Sequence, residues 1–381
     1  MKTIYLDNQA TTPVKSSVIK DMKPFWADQF GNPHSNEHYV GLLANQHIVN
    51  AKYKIATAIQ AEEDEIFFTS GATESNNHSI FALCALSQRR SERQIIISPL
   101  EHKCIIEAAH YWASIFNLEV VYVNVDECGY IDLDHLESLL KKPTLFCSII
   151  GVNNEIGTIQ DLTILGDIIH SHGAVFHSDL AQAPKSSNEA MDFQSVDLAS
   201  FSGHKIGGPP GIGCLFISAE WQSEIQPLIH GGGQQLGIRS GTLPLPLSVG
   251  LGSAFSYLNK DDIAKMKLLR DHLYEGLKDN IPDLMINGPE LSKRHAGNLN
   301  VRFTGVKVAD LIASLQPKIA VSSGSACGSG NIEPSYVIEA ISGDFDRASE
   351  SMRLSVHENQ KKDHIEMAVE IISQKYQQLK I

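Results

Sequence analysis

Lys205 follows Ser202, Gly203 and His204, precedes the turn Gly207-Gly-Pro-Pro-Gly211, and has Phe201 and Ile206 beside it and the apolar run Cys214-Leu-Phe-Ile217 beyond. Apolar surroundings disfavour an ammonium and leave the neutral amine, the form that condenses with an aldehyde. Ser202 and His204 add donors suited to a phosphate, and Gly203 lets a backbone come close. The stretch reads as a lysine that forms a Schiff base with a phosphate-bearing aldehyde. A lysine snorkelling out before a turn fits it equally well.

Other stretches carry chemistry-bearing residues at strand ends. Phe67-Phe-Thr-Ser-Gly-Ala-Thr-Glu-Ser75 runs from an apolar strand into a helical stretch over 74–86. A helix N-terminus there is either a phosphate site or an ordinary Ser/Thr cap. Asp179 and Gln182 close the strand in Ala174-Val-Phe-His-Ser-Asp-Leu-Ala-Gln182, where open α/β sheets place ligands and where an Asp is also a common N-cap. His102 follows the strand over 94–98, as a titrating group or as one structural histidine among 16. Gly231-Gly-Gly-Gln-Gln-Leu-Gly-Ile-Arg-Ser-Gly-Thr242 is glycine-rich but lacks the spacing and lysine of a nucleotide P-loop. Val321-Ser-Ser-Gly-Ser-Ala-Cys-Gly-Ser-Gly330 surrounds Cys327 with small residues, which predicts a mobile, exposed loop. Its thiol is a candidate nucleophile or an incidental loop cysteine.

Ser200-Phe-Ser-Gly-His-Lys205 resembles the cofactor-lysine motif of the cysteine desulfurases, within the fold-type I enzymes that use pyridoxal 5'-phosphate (PLP). The resemblance runs from Tyr5-Leu-Asp-Asn-Gln-Ala-Thr-Thr-Pro13 to Met352-Arg-Leu-Ser355. It implies that Ala72 and Thr73 bind the phosphate, with Ser202 and His204. Asp179 would pair with the pyridine nitrogen, and Gln182 and Asn154 would meet the ring oxygen. His102 would stack on the ring and handle protons. Thr242 would reach the neighbouring subunit's phosphate, so a homodimer is expected. Arg353 would hold the substrate carboxylate with two prongs, with Asn154 nearby. Lys205 and Cys327 would carry the reaction on L-cysteine, which ends in alanine, a persulfide on Cys327 and transfer to a protein acceptor. Leu180 stands where the family has a smaller alanine and is expected to crowd the ring's edge. An aminotransferase or selenocysteine lyase would use the same PLP site, and a non-catalytic sulfur-relay scaffold would need no Lys205.

In the housekeeping iron–sulfur members a tail past the final helix helps dock the cluster scaffold. Here the apolar face Ile365, Val369 and Ile372 leads to Tyr376-Gln-Gln-Leu-Lys-Ile381, where the sequence stops. The expectation is weak binding to a generic scaffold and a dedicated acceptor, with DNA phosphorothioation or tRNA thiolation ahead of general iron–sulfur assembly.

The elements that position these residues follow from composition and pattern. A chain of 381 residues, 43% hydrophobic, can bury a large core and divide in two. A net charge of −13 argues against direct binding of nucleic acid or anionic membrane. No apolar signal segment or membrane span is present in the sequence, so a cytoplasmic location is expected. Six cysteines at 84, 104, 128, 147, 214 and 327 show no C-x-x-C pair or zinc spacing, so reduced thiols and no metal site are expected. Cys84, Cys147 and Cys214 sit in apolar runs, as small buried hydrophobes do.

Apolar residues at Leu43, Ile48, Ala51, Ile55 and Ile59 predict a helix over 41–60. Strands over 66–69, 94–98, 120–123, 145–150, 174–177, 198–201 and 213–217 alternate with helical stretches, which predicts an α/β fold with a mainly parallel sheet. This is the fold-type I large domain, placed at 13–250. A helical tract over 247–280, a half-buried strand over 298–303 and a helix over 361–380 make a smaller α+β domain from 1–12 and 251–381, with the cysteine loop at about 321–333.

Overall fold

The computed structural model describes residues 3–187, 191–324 and 333–380. Its centre is a seven-stranded sheet made of β2 (Ile66–Thr69), β3 (Gln94–Ile97), β4 (Glu119–Tyr122), β5 (Thr144–Ser148), β6 (Val175–Asp179), β7 (Leu198–Ser202) and β8 (Gly213–Ile217). The order is β2-β8-β7-β6-β5-β3-β4, parallel except that β8 runs antiparallel to both neighbours.

The apolar runs are continuous because helices cover both faces of the sheet. Successive side chains alternate between two cores. Phe68, Cys147, Phe176 and Phe216 join one, and Phe67, Phe146, Val175 and Leu215 join the other. Cys84, Cys147 and Cys214 are buried as expected, and burial pushes the Cys84 thiol up to about 12.

A third core gathers Ile4 and Leu6 with Leu273, Leu299, Leu354, Ile365, Val369 and Ile372. It surrounds β10 (Asn298–Arg302), which lies antiparallel between β9 (Met285–Ile286) and β12 (Ser351–Ser355). Beside it β1 (Ile4–Tyr5) pairs in parallel with β11 (Ile319–Ala320). The sequence differs from the structure at two places here. Asn298 and Asn300 alternate with apolar residues yet are fully buried, because both side-chain amides donate to the Glu155 carbonyl, at 2.9 and 3.1 Å. The helical tract is two helices, Leu245–Ser256 and Lys260–Asn280, broken where the Asn259 side chain caps the second by accepting from Asp261 N.

His177 is wholly buried on β6, with Nδ1 on Ser148 Oγ at 2.9 Å, and burial pushes its pKa from 6.5 down to about 3. The unfolded chain takes up this proton first, so the stability it confers is complete above about pH 6.5 and is lost as pH falls towards 3. The stability gap between wild type and His177→Asn should narrow by about 1 kcal/mol per pH unit below that point. Urea titrations across the range check it, and a constant gap contradicts it.

Candidate active site

The carboxyl ends of β6 and β7 and the N-terminus of helix Ala72–Ala85 enclose a cleft of about 440 Å³. Its walls bring together Ala72, Thr73, His102, Asn154, Asp179, Gln182, Ser202, His204, Lys205 and Arg353 from segments far apart in the chain. Ligands sit in this position in open α/β sheets.

Lys205 lies in a single helical turn, Gly203–Lys205, directly after β7. Its Nζ donates to the carbonyls of Gln9 at 2.6 Å and Ala10 at 2.9 Å. Gly203 is required by the chain's own backbone, since a Cβ there would stand 2.8 Å from the Pro209 carbonyl. His204 bonds Thr11 Oγ1 at 3.1 Å, and burial, then Lys205, push its pKa down to about 4. Neutral at pH 7, it can serve a phosphate as a hydrogen-bond donor and not as a charge.

Asp179, only 5% exposed, accepts from Asn76 Nδ2 at 2.7 Å and from Ala181 N at 2.9 Å. Gln182 donates to the Gln9 carbonyl at 2.9 Å. Leu180 does not crowd the cleft. It is buried in the sheet core, where Gly151 makes room for it because a Cβ at 151 would overlap the leucine Cδ2. The cleft wall is formed by Ala181 instead.

At the phosphate end, Gly71 caps helix Ala72–Ala85 without any side-chain acceptor. Glu74 turns back to accept from Ser70 N at 2.8 Å and pairs with Arg239 at 2.7 and 3.2 Å. Burial works against its charge, but the bonds from Arg239 and Ser70 hold the carboxyl below its ordinary range. Gln235 pairs through its amide with both backbone groups of Phe68, at 2.6 and 2.9 Å, and so seals the open edge of β2. The glycine-rich segment therefore braces the strand and the helix start from outside.

Arg353 projects from β12 and is 4% exposed. It donates to the Asn154 carbonyl at 3.0 Å and to Asp7 at 2.7 Å. Its Nε is buried without a hydrogen-bond partner among the described residues. Thr242 is exposed and outside the cleft wall of this single chain. Cys327 lies outside the described residues, while Gly324, three residues earlier, lines the cleft.

Sequence patterns carry no signal for Asn76, which steadies Asp179, or for Cys104, which lines the cleft beside His102. Glu101 is wholly buried, and burial, then Asp179, raise its pKa well above the ordinary range. PLP suits this set of groups: the cap-free helix end, Ser202 and His204 for the phosphate, Lys205 for the aldehyde and buried Asp179 for the ring nitrogen.

Comparison with known proteins agrees. The family described as aminotransferase class-V matches residues 4–367. The cysteine desulfurase IscS of Rickettsia bellii is 40% identical over 384 residues, 99% of this chain and 92% of the relative. A solved NifS-like protein is 32% identical with a TM-score of 0.87, covering 98% of this chain and 99% of the other. A solved structure of SspA in complex with cysteine is 33% identical with a TM-score of 0.82, covering 94% and 100%. The chain belongs to the class-V aminotransferase family and, within it, to the PLP-dependent cysteine desulfurases.

Proposed function

We propose that this protein converts L-cysteine to L-alanine with Lys205 as the cofactor lysine and Cys327 as the sulfur-accepting nucleophile. The carrying observation is the single cleft that joins Lys205, Asp179, His102 and Arg353 and has Gly324 in its wall. A structure of the similar SspA with cysteine bound supports the same substrate.

Bound here, PLP supplies an electron sink for the electrons left when a proton leaves the substrate's α-carbon. The protein's own groups do the rest. Asp179, held by Asn76 and the Ala181 N–H, presents a buried carboxylate to the ring nitrogen. Arg353, on the cleft wall, presents its guanidinium to the substrate carboxylate. Lys205 moves the α-proton, and His102 serves the second transfer. The Cys327 thiolate attacks the substrate sulfur, breaking its bond to carbon, and keeps it as a persulfide for a protein acceptor. The five described cysteines are free thiols, the state the cytoplasm maintains. No helix among the described residues is long and apolar enough to cross a membrane.

The two-domain division belongs to the same reading. It is supported by the separate core that joins Ile4 and Leu6 to residues from Met266 onward. Helix Leu245–Ser256 packs with the sheet, which supports a boundary at the break over 257–259 in place of the one expected at 250.

A homodimer is supported by helix Tyr39–Ile59. Ile48, Ala51, Ile55 and Ile59 are buried on one face, yet Tyr39, Leu42, Val49 and Tyr53 form a second apolar stripe, 45 to 75% exposed, on the other. In the arrangement that the family resemblance implies, a second copy would bring its own Thr242 to this cleft. Leu42→Glu combined with Val49→Glu should give monomers in sedimentation, with PLP bound about tenfold more weakly as the partner's hydrogen bond is lost. An intact dimer with unchanged affinity contradicts this arrangement.

A further inference from the structure

Two contacts converge on His102 Nδ1. The Cys104 backbone N–H donates to it at 3.2 Å, and Cys104 Sγ lies 3.0 Å away. A ring nitrogen that accepts an amide N–H keeps its lone pair there, so in the neutral ring the proton is on Nε2. The Cys104 thiol is then the second donor to Nδ1. On its other side the sulfur accepts from Asn76 Nδ2 at 3.3 Å, and the same amide nitrogen donates to Asp179 Oδ2 at 2.7 Å. Asn76 is fully buried, and its Oδ1 has no partner among the described residues. A chain of contacts thus runs from Asp179 through Asn76 and Cys104 to His102.

We propose that Cys104 is a positioning residue: its thiol holds His102 in the neutral Nε2–H form and, through Asn76, sets the ring's place relative to Asp179. The proposal rests on the reading of His102 as the proton-handling histidine. Protonating Nδ1 means giving up the Cys104 N–H contact and turning the thiol from donor to weak sulfur acceptor, so both Cys104 groups favour the neutral ring. The surrounding charges are Glu101 and Lys103 on either side in the chain, Glu155 from the segment after β5, Asp179 from β6, and Lys205 and Arg353 on the cleft wall. All remain when Cys104 alone is changed.

The test is nitrogen-15 NMR of histidine-labelled holoenzyme, with His102→Gln to assign the signal, alongside the pH profile of kcat/KM. Wild type should show an unprotonated Nδ1. In Cys104→Ala the backbone contact persists and the thiol is gone, so the His102 pKa should rise by about one unit, the worth of one hydrogen bond. The acidic limb of kcat/KM should move upward with it, and Cys104→Ser should return both towards wild type. A proton on Nδ1 in wild type, or an unmoved pKa in Cys104→Ala, overturns the proposal. A moved pKa with an unmoved rate profile overturns the proton-handling role given to His102 while the thiol's hold on the ring stands.

Discussion

Lys205→Ala is expected to abolish covalent cofactor attachment and to lower turnover by about a thousandfold or more, since the proton-transfer group itself is removed. The fold should survive. Lys205 donates to the Gln9 and Ala10 carbonyls at the edge of the cleft, and the sheet cores do not include it. The purified variant should lack the visible band of a lysine-linked cofactor, and far-UV circular dichroism should match wild type. Borohydride reduction of wild type followed by peptide mapping should place the cofactor on Lys205. A label on another lysine contradicts the assignment of the whole site.

Cys327→Ser is expected to separate the two halves of the chemistry. The cofactor groups lie at or just after the ends of β3, β5, β6 and β7 and at the start of helix Ala72–Ala85, none of which includes residue 327. The variant should keep its visible spectrum and still respond to added cysteine, yet form no persulfide and release alanine at least about a hundredfold more slowly, because the nucleophile is missing. The comparison has force because Cys104 also lines the cleft. If Cys104 were the sulfur acceptor, Cys327→Ser would retain persulfide formation and Cys104→Ala would lose it. Absorbance and sulfide-release assays on both variants decide between the thiols.

Much of the sheet was legible because inner strands such as β3 and β8 are buried on both faces and read as near-continuous apolar runs, as in Gly213-Cys-Leu-Phe-Ile217, whereas the edge strand β4 is only partly buried. The site was legible because its residues follow strand ends within short motifs. Asp179 ends β6, and Lys205 comes three residues after β7. What could not be read depends on how separate elements meet. Asn76 and Cys104 are 28 residues apart and sit in unrelated helices, and only packing brings amide to sulfur. Leu180 looked too large for its place because the space it fills is made by Gly151, on a different strand's exit. Asn298 and Asn300 mimicked a solvent-facing alternation because a sequence does not show a buried carbonyl waiting for their amides. The outer stripe of helix Tyr39–Ile59 was hidden for a similar reason, since the pattern names one apolar face and this helix has two.

The proposed reaction turns on where the sulfur goes. Wild-type holoenzyme mixed with one equivalent of L-cysteine, quenched without reductant, alkylated and digested, should yield the peptide containing Cys327 heavier by one sulfur atom, in an amount equal to the alanine released. Alanine formed with the added sulfur on a different cysteine, or with none on the protein, would contradict it.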